Sequence, residues 1–270
     1  MNPLLHLVRV YPFEKGRNRI LRVLESAGVL NQSADGLEVP VKLSSGAELF
    51  VLGDEYMSNY IRAWGSFEKK TENFIISHLR PGKVFLDVGA NLGYFSIIAK
   101  TVVPGCEVAA VEPNPPLIKL LKKSRERNPK LSGIAILEIA LSKESGWLPL
   151  ICAEDNSGLS HLGTASPDAG TGDNPQTVSV KVEVWDEYAP LNGWDRETSV
   201  MKMDIEGAEM DALRGMKSWL SKWRPAVVVE ANDDNLARFG NSRAELEAFF
   251  LDFGYKHALP ADNNFYLVAG

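Results

Sequence analysis

An open, mostly parallel α/β sheet with helices on both faces, preceded by a small α+β extension, is the fold class that this sequence of 270 residues predicts. Three observations predict it. From about residue 67 onward, short apolar runs alternate with helical patterns, as parallel βαβ units require. The apolar run 84–88 leads into a glycine-bearing turn and then a helical pattern. The next apolar run, 107–111, ends in an acid, Glu112, 23 residues after Gly89.

The elements follow in order. Ile20, Leu21, Leu24, Ala27 and Leu30 recur at helical spacing. Leu37, Val39, Val41 and Leu43 alternate as in a strand, Ser44-Ser45-Gly46 marks a turn, and 48–52 completes a hairpin. Phe67, Thr71, Phe74, Ile75 and Leu79 form a helix face that Pro81-Gly82 stops. A strand at 83–88, a helix at 92–102 and a strand at 107–111 come next. Asn114 as N-cap, with Pro115 in the first turn, opens a helix to about 127. A strand is expected at 134–139. Residues 153–176, rich in Ser, Gly, Asp, Thr and Pro, predict a long loop that serves as a lid or as a plain surface excursion. The βα rhythm resumes with strands at 177–184 and 200–203, a helix at 208–220, a strand at 226–230, a helix at 243–253 and a closing strand at 265–268. Residues 1–64 are expected to form a cap, and 65–270 the main domain.

Composition narrows the function. Hydrophobic residues make up 45% of the chain, enough for a sizeable core. The net charge of −6 argues against non-specific binding to nucleic acid or anionic lipid, which need a positive field. The basic run Lys119, Lys122, Lys123, Arg125 and Arg127 reads as a solvated helix face. Two cysteines, Cys106 and Cys152, are too few for a disulfide scaffold or a structural zinc site, and a reduced, cytoplasmic setting is expected. The apolar run within 1–10 is short and interrupted by Arg9, unlike a signal peptide, and no window resembles a membrane span.

The turn after the first strand carries the chemistry. A dinucleotide fingerprint starting at Gly89 needs glycines at 91 and 94, where this chain has Asn91 and Tyr94. Asp87, just before the turn, would repel a pyrophosphate and attract an ammonium group. S-adenosylmethionine carries an ammonium and no phosphate. Glu112 sits where an acid accepts ribose hydroxyl hydrogens, a feature shared with NAD sites. In the segment 200–209, Asp204 is expected at the carboxyl end of a strand, with Lys202 on the same face. Glu206 and Glu209 fall at a helix start, where capping alone would explain them. Lys202 and Glu230, on neighbouring strands, are expected to pair.

DVGANLGYFS (87–96), VEPNP (111–115) and KMDIEGAE (202–209), in this order and spacing, resemble the FkbM family of S-adenosylmethionine-dependent methyltransferases. Val227-Val228-Val229-Glu230, Phe253-Gly254-Tyr255 and Gly65-Ser66-Phe67-Glu68 fit as well, so the likeness spans about 65–268. The resemblance implies a Rossmann-like class I methyltransferase fold, with a seven-stranded sheet whose last strand is antiparallel. It also implies O-methylation of sugars or of hydroxyls on secondary metabolites. By position, Asp87, Gly89, Asn91 and Gly93 would line the methionine end of the cofactor. Glu112, with Pro113 beside it, would hold the ribose. Residues 138–141, Ala140 among them, would lie beside the adenine. Asp204 would face the cofactor, and Glu68 would reach back over it.

An alcohol acceptor needs a base. Asp204 is the first candidate and Glu206 the second. His161 is the third, arriving only if the loop closes. The four histidines show no metal-ligand spacing, and no metal site is assigned. Asp204, Glu230, Asn232 and Asp233 at neighbouring strand ends would nevertheless suit Mg2+, which makes a divalent-metal-assisted small-molecule O-methyltransferase the alternative. A non-catalytic cofactor-binding module is the reading outside enzymes. Methyltransferases acting on base amino groups of nucleic acid carry an Asn- or Asp-Pro-Pro-aromatic segment where this chain has Met203-Asp204-Ile205-Glu206. The expected acceptor is a small molecule or glycan, bound between the extension and the 153–176 loop. Trp64, Trp147, Trp185 and Trp194 are candidates to stack on it, although packing is the commoner role of tryptophan.

Overall fold

A computed structural model describes residues 5, 8–9, 16–30, 38–53, 56–152, 160–163 and 177–270. The chain begins with helix α1 (Arg17–Ser26), the hairpin of β1 (Glu38–Lys42) and β2 (Glu48–Leu52), and helices α2 (Tyr56–Trp64) and α3 (Lys69–His78). Two βαβ units follow: β3 (Val84–Val88), α4 (Tyr94–Val102), β4 (Glu107–Val111), α5 (Pro115–Arg127) and β5 (Ile134–Leu137). Next come β6 (Ala140–Leu141), β7 (Gly146–Ile151), β8 (His161–Leu162), β9 (Thr177–Glu183) and α6 (Trp185–Leu191). The last part holds β10 (Thr198–Met203), α7 (Glu209–Arg214), α8 (Lys217–Trp223), β11 (Ala226–Glu230), α9 (Asp233–Arg238), α10 (Arg243–Asp252), β12 (Tyr255–His257) and β13 (Asn264–Ala269).

The main sheet has seven strands in the order β12-β13-β11-β10-β3-β4-β5. The five strands from β11 to β5 run parallel, and β13 runs antiparallel to both its neighbours. This is the Rossmann-like arrangement expected. Strand order reverses between β3 and β10, and a crevice opens at the carboxyl ends of the strands beside such a switch. Every residue of β3 is buried, because helices cover both faces of a parallel sheet. Its side chains alternate between two cores. Val84, Leu86 and Val88 pack with Met201, Met203, Trp219 and Phe250. Phe85 packs on the other side with Ile97, Leu121, Val200 and Val228. The same alternation puts Asp87, Lys202 and Glu230 on the Phe85 side, at the crevice end.

The extension docks on that side. Leu49 and Val51 of the hairpin and Ile61 of α2 belong to the same apolar cluster as Phe85. The hairpin edge bonds to α5: Phe50 N–H donates to Ser124 Oγ (2.9 Å) and Glu48 N–H to Asn128 Oδ1 (2.9 Å).

Three expectations are corrected. Residues 177–184 do not resume the main sheet: β9 joins a second, four-stranded sheet in the order β6-β9-β7-β8, in which β6 and β8, of two residues each, are too short to stand out as periodic runs. The helix expected over 208–220 is split at Gly215. A Cβ there would stand 2.1 Å from the carbonyl oxygen of Ser142, the residue after β6, so that backbone presses into the helix line at this point. Within the 153–176 segment, β8 is a strand paired with β7. Apart from residues 160–163, that expected loop lies outside the described residues, as do Leu4 and Leu7 of the apolar run at 1–10.

Candidate active site

Two adjoining cavities occupy the crevice. The first, about 570 Å3 with its open mouth included, lies between the glycine turn, the end of β4 and the second sheet. Glu112 is one of its polar groups. The Glu112 carboxylate is nearly enclosed, with Oε2 accepting from Asn91 N–H (2.7 Å) and Oε1 from Asn114 N–H (2.9 Å). Burial outweighs these bonds and pushes its pKa up to about 7. Pro113, Ile139, Ala140, Leu141 and Leu117 give the cavity apolar walls. Glu138 is ion-paired with Lys122 on the surface and is not among the lining residues.

The second cavity, about 750 Å3, lies on the side of α2 and α3. Glu68, Lys202, Asp204, Glu206 and Glu230 line it, together with Tyr56, Met57, Phe67 and Phe95. Gly89, Asn91, Asp204 and Glu206 border both cavities, so the two meet there.

The local backbone explains why these residues stand at the junction. Gly89 has φ 73°, and a Cβ on it would fall 1.9 Å from the Asp204 carbonyl oxygen. Its lack of a side chain therefore admits the Asp204 backbone, and Asp204 N–H in turn donates to Val88 O (3.1 Å). Glu68, Asn91 and Glu206 also have left-handed backbones, with φ of 38°, 52° and 56°. Only one other non-glycine described residue, Arg224, does so.

Every backbone N–H of the turn from Gly89 to Gly93 is already committed. Gly89 and Ala90 donate to Val111 O, Asn91 to Glu112, Leu92 to Asn91 Oδ1 (2.7 Å), and Gly93 to Ala90 O. A pyrophosphate is ordinarily held by such amides at the start of the helix after the first strand. This turn has none left to offer.

The acids of the second cavity crowd one another. Burial first, then the Asp204 charge, pushes Glu68 and Glu206 up to about 7 and Glu230 up to about 9. Asn235 Nδ2 donates to Glu206 (2.8 Å) and reaches both Glu230 oxygens (3.3 Å). Asp204, Glu206 and Glu230 offer oxygens within 4.8 Å of one another, a spacing that a divalent cation could bridge. Asn232 and Asp233, expected in that group, are engaged elsewhere. Asn232 caps α9, accepting from Asp234 N–H (3.0 Å), and Asp233 accepts from Arg243 N–H (3.0 Å).

Other expected residues fall in different places. Asp87 is fully enclosed behind the turn and is not among the residues lining either cavity. Its Oδ2 accepts from Ser96 Oγ (2.6 Å), and burial raises its pKa. Gly93 faces α5, where a Cβ would lie 2.0 Å from Leu121 Cδ1, so it serves packing. Lys202 does not pair with Glu230. It stands opposite Asp87 and Val228 in the sheet, 4.0 Å from Asp87 Oδ1 and 3.6 Å from Asp204 Oδ2, and donates to Gly89 O (2.7 Å). Glu209 caps the 205–207 turn, accepting from Ile205 N–H (2.9 Å), whereas Glu206 does not cap. His161 lies on β8 in the wall of the first cavity. Trp64 and Trp185 are buried in the cores, Trp194 packs against one, and exposed Trp147 borders a separate hollow. Sequence reasoning missed Tyr56, Met57 and Phe67 as lining residues. Phe67 was next to Glu68 in a noted motif, but the α2 pair had no such neighbour.

Fold and crevice define a Rossmann-like protein with a cleft at the carboxyl ends of β3, β4 and β10. The chain belongs to the Methyltransferase FkbM domain family, whose match spans residues 87–257. It is similar to Methyltransferase sdnD of Sordaria araneosa, 27% identical over 203 residues that cover 67% of this chain and 76% of the relative. It is likewise similar to 31-O-demethyl-FK506 methyltransferase FkbM of Streptomyces tacrolimicus, 28% identical over 71% of this chain and 75% of that one. Among solved structures, methyltransferase FkbM from Methylobacillus flagellatus KT aligns with a TM-score of 0.46 at 16% identity, covering 93% of this chain and 60% of that one. The chain is thus a methyltransferase by family. Among the described residues no helix is long and apolar enough to cross a membrane.

Proposed function

We propose that the protein is an S-adenosylmethionine-dependent O-methyltransferase acting on a hydroxyl of a small molecule or glycan. The observation that carries this reading is the glycine turn itself. Its amides are all committed, while the Glu112 carboxylate beside it lines the first cavity. That combination suits an adenosine without phosphates. The residues fit the cofactor. Glu112 would accept the ribose hydroxyl hydrogens, Ile139, Ala140 and Leu141 would flank the adenine, and Glu68 and Asp204 would face its cationic end. When bound, the cofactor supplies a methyl group on a sulfonium. The relative named 31-O-demethyl-FK506 methyltransferase acts, by its name, at an oxygen, which supports oxygen as the acceptor atom.

Asp204 is the base in this reading. Its carboxylate is partly exposed at the meeting point of the cavities, where an acceptor hydroxyl can reach it. Asp204 takes the proton as the oxygen is alkylated, and the cavity walls hold the oxygen in near-attack position. Glu206, pushed up to about 7 by burial and by the same charge, is the group to which that proton can pass. Tyr56 and Met57 of the extension close this side, in keeping with residues 1–64 serving as a cap.

A metal-assisted reading rests on the spacing of Asp204, Glu206 and Glu230. The decisive experiment is calorimetric titration with S-adenosylhomocysteine, with NADH as control, followed by acceptor screening with and without EDTA. Micromolar binding of the former alone is expected. Asp204→Asn should bind S-adenosylhomocysteine more weakly and, with cofactor saturating, still lose about 100-fold or more in turnover. NADH binding in its place would sink the reading, and turnover abolished by EDTA would favour the metal.

A further inference from the structure

The second cavity contains a buried cation that neither the family match nor the proposed base accounts for. Lys202 lines it, with a side chain only 8% exposed. Burial pulls its pKa down, but Asp204, Asp87, Glu68 and Glu112 raise it further, so it stays charged. One of its three N–H bonds goes to Gly89 O (2.7 Å). The nearest carboxylates, Asp204 at 3.6 Å and Asp87 at 4.0 Å, stand beyond hydrogen-bond range.

Every other charged residue lining this cavity is an acid: Glu68, Asp204, Glu206 and Glu230. A ligand group bearing positive charge is therefore at home almost anywhere in it. A ligand carboxylate has one favourable place, beside Lys202. The usual alternative for an anion, the amides of the turn at the start of α4, is closed because each of them is already bonded. Lys202 also sits directly behind Gly89, where the two cavities meet.

We propose that Lys202 receives the α-carboxylate of the cofactor's amino-acid end, while Glu68 and Asp204 face its ammonium group. The inference rests on the cofactor reading and adds the partner of its carboxylate. A surface lysine would gain little from such contact. A nearly buried one with donors to spare gains a charge-assisted bond in low dielectric.

The test is a binding cycle that needs no turnover. Calorimetry compares S-adenosylhomocysteine with its decarboxylated analogue, which keeps the ammonium and lacks the carboxylate, on the wild-type protein, Lys202→Met and Lys202→Arg. In the wild type, loss of the carboxylate should weaken binding at least about 30-fold, the scale of one charge-assisted bond. In Lys202→Met the same change in ligand should cost about 3-fold or less, and Lys202→Arg should restore most of the difference. A lysine that merely supports the fold would weaken both ligands alike and leave their ratio unchanged, which would overturn the assignment. If Lys202→Met does not fold, the wild-type ratio and the arginine variant still decide: a wild-type ratio under about 3-fold rules the assignment out. Failure of the wild type to bind either ligand would overturn the cofactor reading itself, and the lysine assignment with it.

Discussion

Two glycines at opposite ends of β3 have nearly the same backbone, φ 75° at Gly82 and 73° at Gly89, but different surroundings. A Cβ on Gly82 meets nothing within 4 Å, whereas one on Gly89 would fall 1.9 Å from the Asp204 carbonyl oxygen. Alanine at either position takes on the cost of a left-handed L-residue, about 1–2 kcal/mol. At Gly89 the chain must in addition move by more than an ångström to relieve the contact, and overpacking of that kind costs about 1–3 kcal/mol. Gly82→Ala should therefore lose about 1–2 kcal/mol of unfolding free energy and Gly89→Ala about 2–5 kcal/mol, measured by urea denaturation. The gain from a stiffer unfolded chain is common to both and cancels. Because the displaced atom belongs to the candidate base, Gly89→Ala should also lose on the order of 100-fold in turnover, the effect of misplacing a catalytic group by about 1 Å. Equal losses in the two variants, within about 0.5 kcal/mol, would refute the claim that Gly89 is required by the approach of Asp204.

Glu112→Gln places an amide where two backbone N–H groups need acceptors, so one is left facing a donor. It should lose about 1–3 kcal/mol of stability and most of its affinity for S-adenosylhomocysteine, read by melting and calorimetry. The crowded acids predict a pH effect in the ligand-free protein. Glu68, Glu112, Glu206 and Glu209 reach about 7 and Glu230 about 9 when folded, above the ordinary glutamate value, so the folded state holds more protons than the unfolded one. Their contribution is complete below about pH 4.5 and is lost as pH rises through 7 and on to 9. The urea midpoint should be lower at pH 8.5 than at pH 6, and Glu230→Gln should shrink the part of the fall above pH 7. A midpoint that holds steady or rises over that range would contradict the crowding.

The central strands, the glycine turn and Glu112 were legible because each rests on a local rule: buried apolar runs, positive-φ glycine, an acid at a strand end. Asp204 and Glu68 were found as motif neighbours, and both line the second cavity. What sequence could not supply was register. Lys202 faces Asp87 because β10 lies beside β3 with those residues opposite, a pairing between positions 115 residues apart that no local pattern encodes. The second sheet was missed for a related reason. Its strands β6 and β8 have two residues each, and their partners come from distant segments. Gly93 and Asp87 were assigned to the ligand because their motif surrounds it, but tertiary contact gives one to Leu121 and the other to Ser96.

The left-handed backbones at Glu68, Asn91 and Glu206 carry a consequence for how this protein can change over time. Glycine would sit more comfortably at each of these three positions, by about a kilocalorie apiece. Variants that drift toward glycine there would melt later and yet lose the carboxylates and the amide that shape the crevice. Thermal robustness and catalytic competence thus pull in opposite directions at the same codons. A stabilised form of this protein should be sought in the outer strands and helices, with those three residues left as they are.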